Sequence, residues 1–133
     1  MKINLSTPQG IEKLQTELDC VQQNTRARNI TASEIMEASQ FIFEALKIPK
    51  KALNGCRFKV DLNAKNLMKY GSSIPESTIF ILEFRNGHWL VTDLFRGETH
   101  REGSNVKANL SDEAKEALIK RFSNLEITKN TIE

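Results

Sequence analysis

The spacing of hydrophobic positions changes period along this chain, and the changes mark out its elements. Residues 2–5 alternate (Lys2, Ile3, Asn4, Leu5), which predicts a short strand. Thr7 and Pro8 then make a helix start: the threonine caps, and proline fills the first helical position, where no backbone N–H is needed. Ile11, Leu14, Leu18 and Val21 follow at spacings of three and four, so this helix runs to about residue 24 with a narrow apolar stripe suited to one surface. Thr31-Ala32-Ser33-Glu34 is a capping box, with Ile30 and Ile35 placed as a hydrophobic staple. Ile35, Ala38, Phe41, Ile42, Ala45 and Leu46 line a face that Met36 and Phe43 broaden. A helix this apolar belongs at the centre of a core, and Pro49 ends it. One further turn fits residues 49–54, closed by Gly55 in the left-handed conformation.

Period two then takes over. Cys56, Phe58, Val60 and Leu62 alternate with Arg57, Lys59 and Asp61, a strand with one buried side. Thr78–Arg85 and His88–Arg96 flank Asn86-Gly87, the pair that best fits a two-residue type I′ turn. Such a loop opposes residues whose numbers sum to 173, so Phe84 faces Trp89, Leu82 faces Val91 and Phe80 faces Asp93. One side is then aromatic and aliphatic (Phe80, Leu82, Phe84, Trp89, Val91, Phe95). The other carries Ile79, Ile81, Leu90 and Leu94 away from the turn. Both sides need cover at that end, and the first helix is a candidate for it.

The remaining segments are weaker. Residues 63–70 read as a short helix or a loop, 97–104 as a charged loop, and Val106, Ala108 and Leu110 as a short strand. Ser111 caps a last helix whose acidic start (Asp112, Glu113) and basic end (Lys120, Arg121) match the helix dipole. Residues 124–133 read as a frayed tail. The expected fold is one α+β domain over residues 1–133. It has two N-terminal helices, a mainly antiparallel sheet of three to five strands centred on the Asn86-Gly87 hairpin, and a C-terminal helix.

Composition adds boundaries. At 133 residues, with 39% apolar and 27% charged positions, the chain can build a core without disulfides or metal. Cys20 and Cys56 make no disulfide framework, no run of eighteen apolar residues exists, and the first ten residues lack a signal's apolar centre. A cytoplasmic protein with reduced thiols and no membrane partner is the expectation, as a monomer or homodimer.

Charge changes the picture most. Lys47, Lys50, Lys51, Arg57, Lys59, Lys65 and Lys69 stand against Asp61 alone, +6 in twenty-three residues, while the other 110 sum to −4. With Tyr70 beside them, these residues are the candidate binding surface, facing an acidic protein by preference and nucleic acid as the alternative. A single-strand platform would want more aromatics than Tyr70. Catalytic signals are sparse. His88 and His100 have no second ligand at metal spacing, no serine sits in a nucleophile elbow, and no glycine-rich loop follows a strand. Asp93, placed by the register on the aromatic side, is either paired, at an edge, or in a pocket near His88. The reading is a small non-enzymatic inhibitor or adaptor without a cofactor, of the kind phages and plasmids encode. A small enzyme with a pocket near Asp93 and His88 is the third alternative.

Overall fold

The hairpin forms where the turn chemistry places it. In the computed structural model, which describes residues 2–23, 29–62, 76–98, 110–122 and 125–127, Asn86 and Gly87 adopt φ of 52° and 82°. Positive φ at both central positions is the type I′ signature, and its twist matches that of the flanking strands. Ahead of the hairpin come β1 (Ile3–Asn4), α1 (Pro8–Val21), α2 (Ala32–Leu46), α3 (Lys50–Leu53) and β2 (Arg57–Asp61). The hairpin strands are β3 (Glu76–Arg85) and β4 (His88–Glu98), and α4 (Asp112–Arg121) and β5 (Leu125–Ile127) follow. The strands form one sheet in the order β1-β4-β3-β2-β5, every pair antiparallel. The α+β architecture follows the expected layout.

Local chemistry sets the helix ends. Thr7 Oγ1 accepts from the Gly10 N–H at 3.0 Å with Pro8 in the first turn, and Ser111 caps α4 through the Ala114 N–H. The capping box of α2 closes from both sides: Thr31 Oγ1 accepts from Glu34 N–H, and Glu34 Oε1 accepts from Thr31 N–H. Lys47 takes the left-handed C-cap position (φ 50°) before Pro49. Gly10 is required where α1 turns back over β1, because a methyl there would collide with the Asn4 carbonyl oxygen.

All this packs on one side of the sheet. Phe58, Val60, Phe80, Leu82, Phe84, Val91 and Leu94 meet Leu14 and Leu18 of α1, Ile35, Ala38, Ile42 and Leu46 of α2, and Leu118 of α4 in one core. α1 thus covers β1 and β4 beside α2, on the same side and not on the opposite one. Near the hairpin tip, Phe43 of α2 stacks on Phe84 (6.1 Å between ring centres), and Trp89 meets Phe84 and Phe58 edge-on. Gln22, buried at the end of α1, ties three elements together. Its amide accepts from Ile30 N–H and Thr78 Oγ1 and donates to the Ile30 carbonyl, satisfying polar groups that burial would otherwise leave costly.

Three expectations need correction. The two-residue register holds from Arg85↔His88 to Leu82↔Val91, and then a β-bulge shifts it by one, so Ile81 opposes Asp93 and Phe80 opposes Leu94. The extra residue, Thr92, moves every later side chain of β4 to the opposite side. Leu94 is therefore buried in the core, and Asp93 is exposed on the other side of the sheet, its Oδ1 accepting from Leu94 N–H. The second correction is at the C-terminus. Leu125–Ile127 is no frayed tail but an edge strand on β2, with Leu125 and Ile127 buried. The charged loop read at 97–104 starts later, because Gly97 and Glu98 continue β4; its residues 99–104, the proposed helix or loop at 63–70 and the strand positions Val106 and Ala108 lie outside the described residues.

Candidate functional site

β2 delivers its basic residues to the side of the sheet away from the helices, because Phe58 and Val60 claim the inward positions. Arg57 is exposed there; Lys59, two residues on, is half-buried and leans across to the Phe95 ring, 6.0 Å from its centre. Lys50 and Lys51 are exposed on α3, and Asn54 and Gly55 join that helix to β2 beside the hairpin turn. Three hydrogen bonds fix that junction: Asn86 N–H to Asn54 Oδ1 (2.8 Å), Gly55 N–H to the Phe84 carbonyl (2.7 Å), and Phe84 N–H to the Cys56 carbonyl (3.2 Å). Lys50, Lys51 and Arg57 therefore share the hairpin-tip end of the molecule. Lys47 belongs to the helical layer instead, where its ammonium lies 3.7 Å from Glu113 of α4. Lys65, Lys69 and Tyr70 lie outside the described residues.

The tip gains a cation that charge counting along the sequence missed. Cross-strand pairing sets Arg57 opposite Glu83, and Arg85 follows Glu83 on the same side of β3. Arg57 Nε donates to Glu83 Oε1 and Arg85 Nε to Glu83 Oε2, both at 2.9 Å. One carboxylate thus holds two guanidinium groups, one on each oxygen. Glu83 is only 3% exposed, while Arg57 and Arg85 keep 53% and 46% of their side-chain surface in water. Arg85 also passes over Gly55, 4.0 Å from where a side chain there would begin.

The electrostatics follow from that geometry. The Arg85 hydrogen bond, against the cost of burial and helped by Arg57, lowers the Glu83 pKa from 4.5 to about 2. Glu83 in turn raises Arg85 above its ordinary value. At neutral pH the trio carries one net positive charge, presented by two planar forks whose orientation is set before any ligand arrives. Guanidinium forks match carboxylates and phosphates in shape as well as charge.

The Asp93 and His88 neighbourhood looks different. Both side chains are exposed on β4, and His88 Nδ1 lies 3.1 Å from Ser6 Oγ at the hairpin tip. The bulge places Asp93 opposite Ile81, away from the aromatic residues the uninterrupted register gave it. Among the described residues, no group of three or more His, Cys, Asp or Glu side chains is placed to hold a metal ion. No described helix is long and apolar enough to cross a membrane. Cys20 is exposed and Cys56 buried, and neither forms a disulfide.

Comparison of the chain with protein-family models, with curated proteins and with solved structures returns no match.

Proposed function

We propose that this chain is a non-enzymatic binding protein, an inhibitor or adaptor, that docks on an acidic surface of a partner protein through the hairpin-tip end of its sheet. One observation carries the reading: a buried carboxylate orients two half-exposed arginines, Arg57 and Arg85, on the open side of the sheet. A pre-oriented fork loses less side-chain entropy on binding than a free arginine. Lys50 and Lys51, exposed on α3 at the same end, extend the positive field, and Lys59 borders it farther along β2. Long-range attraction from such a cluster raises the rate of encounter with an anionic partner. The reading carries with it a reducing aqueous compartment such as the cytoplasm, where the exposed Cys20 stays a thiol.

The test uses lysines that make no contact with Glu83. The double variant Lys50→Glu, Lys51→Glu should lose capture of the partner from host lysate while its melting temperature stays within a few degrees of the parent. Capture that survives both reversals rejects this surface. A salt titration with a generic DNA duplex and a single strand separates the nucleic-acid alternative, for which log affinity falls with a slope near −0.9 per phosphate contact on duplex. Tight, steeply salt-dependent duplex binding would move the assignment to that class.

A further inference from the structure

The helical layer carries a groove whose charge is opposite to that of the hairpin tip. Met36, Glu37, Gln40, Phe41 and Glu44 of α2, with Arg121 of α4, line an open groove of about 500 Å³. Its floor is a thioether and an aromatic ring, both only half-buried. Glu37 and Glu44 stand exposed seven residues apart, two helical turns and about 10 Å along the axis. Gln40 donates to Glu44 at 2.8 Å and holds that carboxylate along the groove. Lys47, the C-cap of α2, lies toward Glu113 of α4.

Arg121 shows what this floor accepts. Its guanidinium lies 5.8 Å from the centre of the Phe41 ring and 5.6 Å from that of Phe122, which itself meets Phe41 edge-on. The ring wall therefore already carries one cation on its π face. With Glu37 and Glu44 against Arg121, the groove keeps a net charge of −1 over apolar ground.

We infer that this groove binds a basic amphipathic segment of a partner protein, with two cationic side chains about 10 Å apart and an apolar residue between them. The cations reach Glu37 and Glu44, and the apolar residue and the methylene stems cover Met36 and Phe41. Long basic side chains suit such a site because the stem is apolar while the head is charged. That spacing occurs seven residues apart on a docked helix, where both cations and an apolar residue between them share one face. The inference is independent of the hairpin-tip surface, since none of the groove residues lies on the sheet.

Methyl and amide NMR of the full chain tests it, with a synthetic leucine–lysine amphipathic helix as the probe and its leucine–glutamate counterpart as the control. Binding of the lysine peptide should saturate and shift the Met36 methyl and the Glu37–Glu44 amides, and the glutamate peptide should leave them in place. The double variant Glu37→Gln, Glu44→Gln changes exposed residues only and should weaken the affinity about tenfold, as expected for two solvent-accessible ion pairs. Lys50→Glu with Lys51→Glu should leave it unchanged. No Met36 shift, or an affinity that the glutamine variant leaves unchanged, overturns the proposal. So does a Met36 shift that depends on protein concentration without peptide, which would make a second copy of this chain the occupant.

Discussion

The two sides of the central sheet are both substantially buried yet are stabilised by different physics. Toward the helices, Phe58, Val60, Phe80, Leu82 and Val91 form an apolar layer that excludes water without directional bonds. On the other side, Ile79 and Glu83 are nearly as inaccessible, and what stands at the tip is an acid between two arginines. A carboxylate in the first setting would be destabilising. In the second it is fully bonded, and the bonds leave cationic surface facing outward. The helix-covered side is held by apolar packing, and the tip of the other side by directional, charge-assisted bonds.

The largest effect should come from the helix-covered side. Phe80 is fully buried in the core between the sheet and the helices. Phe80→Ala removes a whole ring and leaves a cavity, for an expected loss of about 3–5 kcal/mol in chemical denaturation. The loss should be the same at pH 7 and pH 3, because no titrating group takes part. A cost that varied strongly with pH would mean the two sides are not energetically separate.

Glu83→Gln reverses that expectation. A carboxylate lowered from 4.5 to about 2 contributes about 3 kcal/mol at neutral pH. The contribution is complete above about pH 4.5 and is lost as pH falls through 2, so more than half is gone by pH 3. The variant should therefore be less stable by about 3 kcal/mol at pH 7 and by much less at pH 3. Equal costs at both values would show that the arginines do not depend on the charge of Glu83.

How much of this was legible follows from how local each signal is. The capping box at Thr31, the Pro8 start, the Asn86-Gly87 turn and the alternation around Phe58 are short-range patterns, and the structure keeps all of them. The arginine–glutamate cluster at the hairpin tip is a long-range product. Arg57 and Glu83 are twenty-six residues apart and meet only because β2 pairs with β3, a register that no turn of defined length announces. A count of charge along the chain found Arg57 and missed Arg85 for that reason. The edge strand at Leu125–Ile127 was hidden by its brevity, although Leu125 and Ile127 alternate about Glu126 as a strand requires. The bulge left a fainter trace. Trp89, Val91 and Leu94 are spaced by two and then three, a slip of phase that marks an inserted residue.

That slip supplies the smallest and sharpest test. In an unbroken register Asp93 would share the aromatic layer with Val91 and Phe95, and its charge would need a partner. The bulge at Thr92 turns it to the open side, exposed, with one oxygen accepting from Leu94 N–H, a bond that an asparagine side-chain carbonyl can also accept. Asp93→Asn should therefore change stability by less than about 0.5 kcal/mol at neutral pH in chemical denaturation. A gain of a kilocalorie or more at neutral pH would mean that the carboxylate is paying a burial cost. The register would then run straight through Thr92, and Leu94 in place of Asp93 would face the open side.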